Sequence, residues 1–420
     1  MHASRGVTGK DYDGRYRPQN RVHHGRCPRH RAGFGPGFFC AGVSATRRRS
    51  GRFSLVNAVT RFPGQNLTAA VARFREIGIL AFLIALVVAF SIRTPRFFSG
   101  GNFRDILLDI SLLAIVAVGE TMVIISRNID LSVGSIVGFG ALVAAIMVKD
   151  NPHLPVAVIL LAGLGVGGAL GLLNGLLITV GRIPAIIATL GTLFVYRGAD
   201  FLVGQNWTPS GQVYSQDLTS SFTDLATAST LGIPNLIFFA AVVGVIFIYT
   251  LRYTRFGRRI YAVGGNPEAA RLAGINVART TLMVFLMSGA LAGLASVLYA
   301  SRFANITTTE GSGFELQVIA AVVIGGANIF GGSGGVIGTI LGALLLGSIG
   351  DYLALSGLSE FWQLVVQGLI ILAAVIVDAL INQRLQRALR VRRAGLEDDV
   401  PPAHVRVPEG TAAADGTASP

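Results

Sequence analysis

The chain has 420 residues, 52% hydrophobic and only 14% charged, against about 25% charged in soluble domains. A mean hydropathy of +0.60 and 53 glycines exclude a soluble globule and imply helices packed closely in lipid. The net charge is +13, but 15 of the 35 Lys and Arg precede residue 77. No nucleic-acid motif accompanies them, so nucleic acid is not an expected partner.

The N-terminal stretch, residues 1–76, is polar and rich in Arg, His and Gly. It is too long and too polar for a signal peptide, and its composition predicts a basic, disordered tail. Both cysteines, Cys27 and Cys40, lie within it, as do four of the six histidines. The apolar body therefore offers no disulfide framework, thiol chemistry, metal cluster or histidine proton relay.

A bilayer span takes about 20 apolar residues. Apolar runs between polar or Gly/Pro breaks mark ten spans: 77–92, 106–125, 133–148, 155–180, 185–203, 233–251, 281–300, 316–329, 335–352 and 361–381. The fold class is all-α, a polytopic membrane helical bundle of about ten transmembrane helices. With the N-terminus inside, the inner loops and the tail 382–420 carry 14 Lys and Arg, against 5 in the outer loops. This positive-inside asymmetry predicts cytoplasmic N- and C-termini. It also yields three parts: a tail at 1–76, a transmembrane domain at 77–381 and a tail at 382–420.

Several motifs within the spans look chemical. Gly163-x-Gly165-x-x-Gly168 matches a dinucleotide fingerprint but lacks the strand–turn–helix context that chemistry needs. Close helix packing is the better reading, supported by small-xxx-small pairs at Gly134/Gly138, Gly167/Gly171, Gly171/Gly175, Gly289/Gly293 and Gly338/Gly342. No phosphate-cradling Gly-Lys-Ser/Thr loop is present. Glu120 lies inside a span, where a charged group is costly enough to suggest a function. Arg197 and Asp200, near the outer end of their span, have the i,i+3 spacing of an ion pair.

Two polar, glycine-bearing segments interrupt the apolar pattern, at 126–134 and 326–334, and a shift of 200 residues pairs Asn128 with Asn328 and Gly134 with Gly334. Paired interruptions of this kind point to a transport path. They free backbone groups that lipid does not satisfy. Glu120, Asn128, Asp130, Ser132 and Asn328 are therefore candidates for a translocation path or gate. The plainer reading is that Asp130 or Ser132 caps the following helix and that Asp130 pairs with Arg127; the two readings are compatible.

The loop 252–280 carries a self-contained helix signal. Asn266 is an N-cap, Pro267 fits the first helical position, and Glu268 complements the positive end of the helix dipole. Ala269 and Ala270 favour helix, and Gly274 supplies a left-handed stop. A capped helix ringed by arginine in a cytoplasmic loop suits a rigid knob for a partner.

Glu268-Ala-Ala-x-x-x-Gly274 resembles the Glu-Ala-Ala-xxx-Gly loop of bacterial ABC importer permeases. Together with NIDLSVGS (128–135), GRIPAIIATLGTLFVYRG (181–198), TRFGRRIYAVGGNPEAARLAGIN (254–276) and AVVIGGANIFGGSGGVIGT (321–339), it makes the chain similar to permeases of the ribose/xylose/rhamnose-type sugar importers. The resemblance runs from about residue 77 to 381. It implies an inner-membrane permease that moves a monosaccharide by alternating access. The expected partners are an ATP-binding cassette ATPase, an extracytoplasmic sugar-binding protein and a second permease copy, identical or related. It also implies that Asn266, Pro267, Glu268, Ala269, Ala270 and Gly274 form the helix that docks into the ATPase. ATP-Mg would belong to that partner, leaving this chain with no cofactor and no catalytic residues. The alternative is an ion-coupled secondary transporter using Glu120, which leaves the capped loop helix unexplained.

Overall fold

The computed structural model describes residues 64–359 except Pro209, and scattered positions from 361 to 376, with side chains from Glu76 onward. α1 (Gly64–Arg93) leads through a short 3₁₀ turn into α2 (Gly100–Ile125) and α3 (Val133–Asp150). α4 (Val156–Thr179) and α5 (Ala185–Trp207) follow. A small cap comes next, made of β1 (Gln212–Val213), α6 (Ser220–Thr227), β2 (Ser229–Thr230) and β3 (Ile233–Pro234). The chain continues through α7 (Asn235–Tyr253), α8 (Arg255–Gly265), α9 (Pro267–Leu272) and α10 (Val277–Phe303). β4 (Ile306–Thr307), α11 (Phe314–Ile324) and α12 (Val336–Leu355) complete the described elements.

Local chemistry sets the helix starts. Asn276 accepts the Arg279 amide at 2.9 Å to open α10. α4, α5 and α7 each begin after an extended proline, Pro155, Pro184 and Pro234, where the missing N–H is no loss. Hydrophobic burial then arranges the bundle. α2 is apolar on every side, and from Ile115 to Ile125 it is buried throughout, as such a helix must be. α10, α11, α12 and α7 pack around it. α1, α4, α5 and α7 leave large apolar side chains such as Phe82, Phe194, Val195 and Phe238 exposed, a surface suited to lipid.

The small-residue seams bring backbones together. A Cβ on Gly167 would overlap the Gly289 carbonyl oxygen, and one on Gly289 would overlap that of Gly167. Gly163 and Gly171 meet Gly293 and Phe285 in the same way. α4 and α10 are thus in backbone contact along much of their length, and the Gly163–Gly168 motif is a packing face.

Three expectations are corrected. Among the described residues eight helices are long and apolar enough to cross a membrane. α11, in place of the span at 316–329, has only 11 residues, about 16 Å at 1.5 Å per residue, too short for a hydrocarbon core of about 30 Å. The apolar sequence continues through Ala327 and Ile329, but Gly326 turns left-handed at φ 101° and ends the helix. The run at 361–381 lies largely outside the described residues. Second, α1 starts at Gly64, so residues 64–76 are helical where a disordered tail was expected, while the span within it, Glu76–Arg93, agrees with the expected 77–92. Leu67, Ala69, Ala70 and Ala72 are strong helix formers just past Pro63. Residues 1–63 and the tail 382–420 lie outside the described residues.

Third, the two interruptions are related in a different register. α2 ends with Arg127 N–H donating to Ile124 O and Asn128 N–H to Val123 O; α11 ends with Gly326 N–H donating to Val323 O and Ala327 N–H to Val322 O. These are the same C-terminal motif, with Arg127 (φ 69°) matched to Gly326, one residue off the 200-residue shift. Asn128 therefore corresponds to Ala327, not Asn328. Gly134 lies inside α3 while Gly334 is in the loop before α12.

Candidate functional site

Glu120 projects from α2 about one and a half turns before its C-terminal end and is fully buried. Its Oε1 accepts the backbone N–H of Asp130 at 3.1 Å, so the chain after α2 folds back alongside the last turns of that helix before α3 begins. Asp130, also fully buried, accepts from Ser132 N–H at 2.9 Å and Ser132 Oγ at 2.7 Å. Asn174 of α4 donates to Ser132 Oγ at 2.7 Å. The Tyr196 hydroxyl of α5 lies 3.1 Å from Asn174 Oδ1 and 2.9 Å from Leu170 O. Thr189 of α5 reaches Ile129 O at 3.2 Å.

A polar network therefore ties α2, α4 and α5 to the interruption at 128–132. Glu120 Oε2 and Asp130 Oδ2 are buried without a hydrogen-bond partner, a costly arrangement in a low-dielectric interior. The local pairing of Asp130 with Arg127 does not occur. Asp130 points inward to Ser132, while Arg127 is exposed.

The structure thus joins Glu120, Asp130 and Ser132 and separates the other two candidates from them. Asn128 caps the end of α2, its Nδ2 donating to Ser126 O and Oγ at 3.0 Å. Asn328 closes a turn, accepting the Phe330 N–H at 2.9 Å. Asn174 escaped the sequence reading, although an asparagine amid the apolar and glycine residues of α4 carries the same cost argument as Glu120. Tyr196 and Thr189 carried no comparable signal.

A second polar group lies toward the cap. Arg197 donates to the Glu310 carbonyl oxygen and not to Asp200, and the Tyr299 hydroxyl donates to the Glu310 carboxylate. Asp200 is buried with both oxygens unpartnered. The segment between α10 and α11 presses onto α3: a Cβ on Gly134 would meet Gly311 O, and one on Gly138 would meet Glu310 O. This segment is tied to the cap by the β1–β4 ladder.

At the other end stands the short helix α9. Asn266 Oδ1 accepts from Glu268 and Ala269 N–H, each at 3.0 Å, with Pro267 in the first turn. Gly274 is left-handed at φ 79°. Ala270 is buried, while Leu272 is 91% exposed, an apolar knob beside the Glu268–Arg271 pair at 3.6 Å. Neighbouring α8 touches both interruptions. A Cβ on Gly264 would overlap Ile125 O and crowd Gly332 N, and Tyr261 OH donates to Gly334 O at 2.8 Å.

Comparison with known proteins fits this architecture. The chain is 39% identical over 299 residues to a ribose import permease protein of Escherichia coli (strain K12), covering 71% of this chain and 92% of that relative. It is 39% identical over 296 residues to a ribose import permease protein of Haemophilus influenzae (strain ATCC 51907 / DSM 11121 / KW20 / Rd), covering 70% and 90%. An autoinducer 2 import system permease protein of Enterobacter sp. (strain 638) is 37% identical over 322 residues, covering 76% and 92%. No solved structure matches. The model of the family described as branched-chain amino acid transport system / permease component matches residues 102–375, well over half of the chain, and the protein belongs to that family of multi-pass membrane permeases.

Proposed function

We propose that this chain is the permease subunit of an ATP-binding cassette importer that carries a monosaccharide (a pentose, hexose or deoxyhexose) across the inner membrane. The family description refers to branched-chain amino acids, but the relatives that align over nine-tenths of their length are ribose and autoinducer 2 permeases. The observation that carries the mechanism is the contact chain at the α9 end. α9 presents an exposed Leu272 beside the Glu268–Arg271 pair, and α8 rests on both helix interruptions. A push on α9 by an ATPase subunit would reach the backbone at Ile125 and at Gly332–Gly334 with little intervening side chain. That end faces the cytoplasm, in keeping with the arginine-rich loop 252–280. ATP and Mg bind the partner ATPase, a separate binding protein delivers the sugar, and a second permease copy completes the pore.

In proteoliposomes containing the permease with its ATPase and binding protein, D-ribose uptake is expected to require ATP. Uptake driven by an ion gradient without the ATPase would replace this reading with the secondary transporter. Glu268→Lys and Gly274→Pro are expected to abolish uptake and ATPase association with membrane insertion intact. Normal uptake by both variants would remove α9 as the docking element.

A further inference from the structure

Between α2, α10, α11 and α12, at the end that carries the cap, lies a cavity of about 310 Å³, at the small end of the roughly 300–1,000 Å³ range of ligand sites. Its lining includes Tyr299, Phe303 and Phe314, and with them Asp109, Asp351 and Gln317. Each carboxylate is oriented through one oxygen. Arg302 Nη2 holds Asp109 Oδ1 at 2.8 Å, and Asn102 Nδ2 holds Asp351 Oδ2 at 2.8 Å. Among the described residues the second oxygen of each takes no hydrogen bond and can act as an acceptor. On the α12 wall, Gly350 has no atom within 4 Å of where a Cβ would stand, so a side chain there would enter open space.

The geometry points to this cavity as a monosaccharide subsite on the translocation path, entered from the extracytoplasmic side. The assignment rests on the importer reading given above. A sugar offers C–H faces that pack on aromatic rings and several hydroxyl donors that need acceptors; charged acceptors make the stronger bonds. The rings of Tyr299, Phe303 and Phe314 and the two anchored carboxylates provide both. Gly350 keeps the space free.

The test uses the complete transporter in proteoliposomes, with radiolabelled D-ribose, D-xylose, L-rhamnose and L-leucine as probes. Wild type is expected to take up at least one of the sugars and not leucine. Uptake of leucine alone, or of none of the four, would overturn the substrate class and with it the importer reading. For the sugar transported, Gly350→Ala, Gly350→Val and Gly350→Leu are expected to lower uptake progressively, below a tenth of wild type for leucine. Co-purification with the ATPase and basal ATP hydrolysis should persist in all three, since leucine is a good helix former and meets no atom. Asp351→Asn is expected to raise the half-saturating sugar concentration at least threefold. Sugar uptake by wild type together with Gly350→Leu uptake within twofold of it would overturn the subsite alone. Gly78→Leu, on the exposed face of α1 with no neighbouring atom, controls for adding a leucine to a transmembrane helix and should match wild type.

Discussion

Asp130 shows how much one side chain decides in this bundle. It takes two hydrogen bonds from Ser132 while its own N–H goes to Glu120, so it fixes where the chain turns back and where α3 starts. Asp130→Ala would strand the Ser132 amide and hydroxyl in the interior and is expected to cost about 1–3 kcal/mol. Asp130→Asn keeps a carbonyl acceptor and should lose clearly less, as read by thermal unfolding in detergent. Equal losses would mean that the bonds from Ser132 are not what anchors the turn. The costly residue types here, Glu120 and Asp130, were visible in the sequence because charge inside an apolar run stands out. Their meeting was not, since ten residues of separation do not reveal a chain that folds back on its own helix. Asn174 and Tyr196, from two other helices, complete a network that no local pattern encodes.

At the scale of helices, the glycine seams carry the packing. α4 and α10 meet through Gly163, Gly167 and Gly171 on one side and Gly289 and Gly293 on the other, so side-chain volume added there has nowhere to go. Gly167→Val should destabilise the protein by about 1–3 kcal/mol or more through overpacking, whereas Gly165→Val, on a face with no neighbouring atom, should be close to neutral. A comparable drop in melting temperature for both would show that valine acts through the helix backbone and not through the seam. The spacing of these glycines was legible because small residues four apart share a helix face. Which seam pairs with which was not, for α4 and α10 stand far apart in sequence. α9 is the opposite case. Its cap, its proline and its glycine stop are all local, and sequence describes them fully, yet the exposure of Leu272 depends on how the helix sits against its neighbours.

For the whole molecule, the arrangement links the exposed helix α9 at one end, through α8, to two broken helices inside. Tyr261→Phe removes the hydrogen bond from α8 to Gly334 O without touching α9. It is expected to leave ATPase association intact while lowering the sugar moved per ATP hydrolysed, measured by parallel uptake and phosphate release. An unchanged ratio would mean that this contact does not transmit the movement. The membrane class, most of the spans and the capped loop helix were determined by the sequence alone, because length, hydropathy and capping are properties of contiguous residues. Tertiary structure decided that α11 stops at half a span, that the two interruptions match one residue away from the 200-residue shift, and that Glu120, Asp130, Ser132 and Asn174 form one group while Asn128 and Asn328 stand apart. Those outcomes depend on backbone turns at Arg127 and Gly326 and on contacts between distant helices, where burial and packing, not neighbouring residues, set the lowest free energy.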